Sequence, residues 1–146
     1  MDRVQKAVHL FKSNYNCAQA VFAAFTEPAM LEESAALKAA SGFGGGIGCS
    51  GDLCGAVTGA IMAIGLHLGT DDAADKSTKV NVYQKARQLI EEYKLRSGSI
   101  VCRDLLGFDM STPEGQTASK MPGAFDRCDD FVSIAAEILE EMLIDE

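Results

Sequence analysis

Most of the reactive chemistry in this chain lies in five cysteines, at positions 17, 49, 54, 102 and 128. Four of them fall where a helix is expected to begin. Cys54 stands two residues after Asp52, a good N-cap, and Cys128 stands in the same relation to Asp126. Cys102 is three residues after Ser99, and Cys17 follows Asn14 and Asn16, either of which can cap. In a first helical turn, unpaired N–H groups and the positive end of the dipole favour a thiolate. A lowered thiol pKa raises reactivity and metal affinity. If these four helix starts meet, they make one thiolate cluster in a low-dielectric pocket, suited to thiol–disulfide exchange, electron transfer or metal binding. Taken singly, each cysteine is more often a small buried hydrophobe than a site. The recurrence of one kind of position is what argues for function. No pair has Cys-x-x-Cys spacing, and Cys49 and Cys54 are separated by four residues.

A glycine run leads into the second of these positions. From Gly42 to Leu68 the chain reads GFGGGIGCSGDLCGAVTGAIMAIGLHL, and the other segments are organised around it. Gly44, Gly45 and Gly46 place no Cβ in the way of a bound group. They resemble a phosphate cradle, but no Lys-Ser/Thr follows them and no strand precedes them, which argues against a nucleotide. From Leu53 to Leu68 there is no charged side chain, and small residues recur at Gly55, Ala56, Gly59, Ala60 and Ala63. A helix apolar on every side belongs at the centre of a bundle. At 16 residues it is shorter than a bilayer span, which needs roughly 20.

The remaining segments read as further helices. Val4, Ala7, Val8 and Phe11 form one apolar stripe; Cys17, Ala20, Val21, Ala24 and Phe25 form another, closed by Pro28. Leu31 to Ala40 is a weaker, alanine-rich helix. A long helix with the stripe Val82, Tyr83, Ala86, Leu89, Ile90 and Tyr93 stops near Gly98. Ser99 caps a short piece from Ile100 to Leu106, ended by Gly107. Phe108 to Arg127, with Pro113, Gly115, Pro122 and Gly123, is expected to be an ordered loop or partial turn. The last helix starts at Asp126 and runs to the chain end on Phe131, Val132, Ala135, Ile138, Leu139 and Met142. The expectation is one all-α domain over 1–146, a bundle of about six to seven helices around a central apolar helix at about 53–68.

Composition narrows the function classes. The 146 residues are 47% hydrophobic with a net charge of −8, which offers no basic patch to a nucleic acid or an anionic membrane. No apolar leader opens the sequence, so a cytoplasmic location is expected, where cysteines stay free, bind metal or do redox work. His9 and His67 stand alone on mostly apolar helices and read as packing or rim residues. Glu91-Glu92 and Glu140-Glu141 read as solvated faces. Pairing with a second copy stays open, as does the identity of a redox partner or small molecule.

NCAQAV at Asn16–Val21, SGFGGGIG at Ser41–Gly48 and CGAVTGAIMAIGL at Cys54–Leu66 resemble the C-GCAxxG-C-C family of redox-active proteins. Single cysteines inside VCRDLLG and RCDDFV complete that family's order, although the central motif reads CGA here. The resemblance implies a small, mainly helical, cytoplasmic prokaryotic protein whose four cysteines do redox chemistry or hold a metal or cluster. On this chain those are Cys17, Cys54, Cys102 and Cys128, with Gly55, Ala56 and Gly59 completing the central motif. Cys49 lies outside the pattern.

Three readings follow. In the first, the four cysteines carry thiol–disulfide or electron-transfer chemistry, with Cys54 as an accessible, low-pKa attacker and the glycines Gly44, Gly45, Gly46, Gly55 and Gly59 lining the bound group. In the second, the same four are ligands to zinc or an iron–sulfur cluster. In the third, they are packing residues of a non-catalytic helical interaction protein.

Overall fold

In the computed structural model, which describes residues 1–144, eight α-helices follow one another with no strand among the described residues. They are α1 (Arg3–Lys12), α2 (Cys17–Ala24), α3 (Glu33–Ala40), α4 (Gly55–Leu68), α5 (Lys76–Ser97), α6 (Cys102–Leu106), α7 (Pro113–Ser119) and α8 (Cys128–Ile144), with a 3-10 turn at Ser41–Phe43. The all-α expectation holds, with one helix more than foreseen. That extra helix is α7, inside the segment expected to be a loop. Thr112 caps it by accepting from the Gly115 N–H at 2.9 Å, and Pro113 takes the first helical position, where its missing N–H costs nothing. The expected run of the last helix to the chain end falls partly on Asp145 and Glu146, which lie outside the described residues.

The centre is α4, as its composition demands. Every residue from Gly55 to Ala60 is buried, as are Ala63 and Ile64, and the helix touches α2, α5 and α8. Its glycines set how close one neighbour comes. A Cβ at Gly59 would lie 2.6 Å from the Ala18 carbonyl oxygen, and one at Gly55 would lie 3.0 Å from the Ala18 nitrogen. These two positions are one turn apart on the same face, so the backbone of α4 rests directly on the first turn of α2. Gly59 is therefore a packing glycine. Around this contact Val21, Phe25, Val57, Ile64, Leu89, Tyr93, Val132 and Leu139 are completely enclosed, each stabilising the fold by about 1.5–3 kcal/mol.

The long helix departs from its expected stripe. Leu89 and Tyr93 are buried, but Tyr83 is 65% exposed. At 22 residues α5 outreaches the 14-residue α4, so only the stretch around Leu89 and Tyr93 is fully covered. Gly98 and Gly107 end α5 and α6 in the left-handed conformation, at φ 98° and 81°, as expected. His67 takes a packing role, its Nε2 lying 2.5 Å from the Phe25 carbonyl oxygen.

A cavity lined by four thiols

The four helix starts do converge. Cys17, Cys54, Cys102 and Cys128 line one cavity of about 440 Å³. The local reasons for each position differ from the sequence expectation at three of the four.

At Cys17 the expectation holds. Asn16 caps α2 in a reciprocal box: its side chain accepts from the Gln19 N–H at 2.9 Å, and the Gln19 side chain accepts from the Asn16 N–H at 3.0 Å. Asn14 is not a cap and turns the chain at φ 77°.

At Cys54 the cap is the cysteine itself, and α4 begins one residue later. Asp52 is drawn elsewhere. Its carbonyl accepts from the Cys102 N–H at 2.6 Å, and its carboxylate accepts from Arg103 at 3.1 Å. The Cys54 N–H in turn donates to the Ile100 carbonyl at 2.7 Å, and Leu53 pairs antiparallel with Val101. This short strap ties the starts of α4 and α6 together and thereby sets Cys54 beside Cys102. Ser99 does not cap α6 either; its hydroxyl accepts from the Val101 N–H at 3.0 Å, one step before the helix. Cys128 opens α8 with its N–H bonded to the Phe125 carbonyl at 3.0 Å, so Asp126 lies in the preceding turn.

The glycine loop forms part of the cavity wall through an unusual backbone. Gly45, Gly46, Ile47, Gly48 and Cys49 are five consecutive residues with φ between 57° and 73°. This is a left-handed turn, closed by the Cys49 N–H on the Gly44 carbonyl at 3.0 Å. Each non-glycine residue in it costs roughly 1–2 kcal/mol, so Ile47 and Cys49 are held there against their preference. A Cβ at Gly46 would come within 2.6 Å of the Cys102 Cβ. Of the five glycines expected around a bound group, Gly45, Gly46 and Gly55 line the cavity. Gly44 instead backs onto the Asn16 side chain, and Gly59 onto α2. Cys49 is exposed, outside the cavity, with its Sγ against Gly45.

The electrostatics separate the four thiols. Cys54, Cys102 and Cys128 are only 5%, 8% and 6% exposed, and Cys17 is half-buried. Cys128 is held below the ordinary thiol range because the Cys17 thiol donates a hydrogen bond to its sulfur; Arg127 assists, while burial and Asp129 oppose. Cys17 is correspondingly pushed up by that same bond, and further by burial and by the other three sulfurs. Burial pushes Cys54 up, although the Tyr93 hydroxyl, 3.3 Å from its sulfur, and the Ala56 and Val57 N–H groups pull the other way. Cys102 is pushed up to about 12, first by burial and then by the neighbouring sulfurs and Asp109. Cys54 was expected to be an accessible, low-pKa attacker; its sulfur is buried, as those of Cys102 and Cys128 also are, and burial raises its pKa. Desolvation is the largest cause at Cys54 and Cys102 and adds to the effect of Cys128 at Cys17; the Ala56 and Val57 N–H groups at the start of α4 oppose it only at Cys54.

Tyr93 was legible only as a core residue. Its hydroxyl is buried against Cys54 and its own pKa is driven far up by that burial. Among the described residues, no three Cys, His, Asp or Glu side chains are gathered as a metal site requires. As placed, the donors do not fit a zinc ion or a cluster.

The fold and site together define a helical bundle that turns four cysteines toward one cavity. The chain belongs to the C_GCAxxG_C_C family, whose description is "Putative redox-active protein" and whose model matches residues 15–142. That range takes in α7 and the turns around it and leaves out α1. No curated protein and no solved structure matches the chain. No helix among the described residues is long and apolar enough to cross a membrane.

Proposed function

We propose that the protein is a dithiol–disulfide redox protein in which Cys128 is the attacking thiolate and Cys17 its resolving partner. The observation behind this is that Cys17 and Cys128 open two contacting helices, α2 and α8, and face the same cavity as an interacting pair. An interacting thiol pair of unequal acidity supplies what exchange requires, an attacker more readily ionised than its neighbour and a second sulfur close by. The Cys128 sulfur forms a bond to a two-electron acceptor. The Cys17 sulfur then attacks Cys128, the S–S bond forms, and the bond to the acceptor breaks with its electron pair. Two electrons leave the two sulfurs, and the proton of Cys17 follows them to the acceptor. Cys54 and Cys102, with their raised pKa values, remain thiols during this step.

The test is a thiol count on protein purified without oxygen, before and after diamide, with the bridged peptides identified by mass. Loss of two thiols and a Cys17–Cys128 bridge is the expected result. An unchanged count would overturn the proposal. So would stoichiometric iron with visible bands, or stoichiometric zinc, because the four cysteines would then be ligands.

A further inference from the structure

The walls of the thiol cavity point to the kind of molecule that enters it. Three observations bear on this. First, the cavity is concave and about 440 Å³ in volume, the size of a small-molecule site, and three of its four cysteines are nearly enclosed, which favours a small molecule over the surface of a folded partner. Secondly, its wall is mainly apolar: Phe11, Leu105, Leu106, Met110, Phe125 and Phe131 face it beside the cysteines. Thirdly, among the described residues its only charged lining side chains are Asp126 and Asp129, and no Lys, Arg or His lines it.

The nearby cations are turned to other tasks. Lys12 lies 3.9 Å from the Asp129 carboxylate, outside the lining. The Arg127 guanidinium stands over the Phe131 ring, 5.2 Å from its centroid, and donates to the Leu105 carbonyl at 3.4 Å. An anionic thiol carrier would therefore meet two carboxylates and find no counter-ion, and a buried unpaired anion is strongly disfavoured. A flat uncharged molecule would lose nothing by entering, and would gain aromatic and aliphatic contact.

We propose that the cavity takes an uncharged, ring-sized, two-electron acceptor of the quinone class. This rests on the dithiol reading above. The Cys128 sulfur adds to a ring carbon, forming a C–S bond and moving an electron pair onto a quinone oxygen. Cys17 attacks the Cys128 sulfur; the S–S bond forms and the C–S bond breaks, its electron pair returning to the ring. The hydroquinone takes one proton from Cys17 and one from water, the latter replacing the proton that Cys128 had already released.

The experiment uses the reduced full chain carrying Cys49→Ser, which removes the exposed thiol from side reactions. Menadione, an uncharged naphthoquinone, is compared anaerobically with naphthoquinone sulfonate, its anionic counterpart. Each rate of Cys17–Cys128 bridge formation is divided by the rate of the same quinone with dithiothreitol, which removes intrinsic reactivity. Menadione is expected to be favoured by at least about tenfold on this scale, with one hydroquinone formed per bridge. Met110→Lys, which places a cation on the wall, is expected to raise the relative rate of the sulfonate. Equal normalised rates for the two quinones in the Cys49→Ser chain would overturn the inference, whatever the fate of the lysine variant. Diamide closing the bridge while neither quinone does would also overturn it and leave the dithiol reading standing. Failure of diamide as well would remove both.

Discussion

Gly59→Ala and Gly65→Ala place the same methyl group on the same helix, and the difference between them isolates the contact that seats α2 on α4. At Gly65 a Cβ would meet nothing within 4 Å. At Gly59 it would lie 2.6 Å from the Ala18 carbonyl oxygen, 3.1 Å from the Ala18 Cα and 3.2 Å from its carbonyl carbon. All three are backbone atoms, so no rotamer change relieves them, and α2 itself must move by several tenths of an ångström. Both variants gain about 1 kcal/mol of helix propensity, which cancels in the comparison. What remains is the overpacking cost, about 1–3 kcal/mol. For a chain of this size that corresponds to Gly59→Ala melting roughly 3–9 °C below Gly65→Ala. The assay is thermal and urea denaturation of the fully reduced proteins. Equal stability of the two would refute the close approach of α2 and α4, and with it the account of how Cys17 is brought to the cavity wall.

Four further outcomes follow from named contacts. Asn16→Ala removes the cap of α2 and should cost about 1 kcal/mol in denaturant titration, since the N–H of Gln19 loses its acceptor. Cys17→Ala takes away the bond that acidifies Cys128, so the pH profile for Cys128 alkylation by iodoacetamide should move to higher pH; an unmoved profile would contradict the assigned coupling. Tyr93→Phe removes a hydroxyl that favours ionised Cys54, and the Cys54 profile should likewise shift upward. The fourth concerns pH and stability. In the unfolded chain Cys102 ionises from its ordinary value of 9.0, whereas in the fold it keeps its proton to about 12. The folded form therefore binds more protons in that window, and stability of the reduced protein should fall as pH rises from about 9 to about 12. Cys102→Ala should flatten the fall, as measured by urea midpoints across that range.

What could be seen in the sequence was local, and what could not was the pairing of distant segments. The burial of α4 was legible because no charge interrupts it, and the Asn16 cap because Gln19 stands three residues on. Asp52 was misplaced for a reason no local pattern contains. Its backbone is claimed by Cys102, 50 positions away, through the strap at Leu53 and Val101. The glycine run signalled a special backbone, yet its left-handed turn also includes Ile47 and Cys49, whose propensities point the other way. The convergence of four helix starts was anticipated from their shared position type. Their ionisation was not, because the balance between dipole and desolvation depends on burial that only the folded chain defines. The α7 helix had a readable start in Thr112-Pro113, masked by the prolines and glycines on either side.

The starts of α2 and α8 are neighbours in space and far apart along the chain. A covalent link between them would close a ring of roughly 110 residues, and in the chain-entropy view such a ring denies the unfolded ensemble about 5 kcal/mol of freedom. Through the thermodynamic cycle the same quantity makes the bridge harder to reduce in the folded protein than in the unfolded one, by about 100 mV before any native strain is subtracted. Folding and oxidation would then reinforce each other. A molecule that loses its fold in a reducing milieu would lose its bridge with it, and would recover the one only by regaining the other.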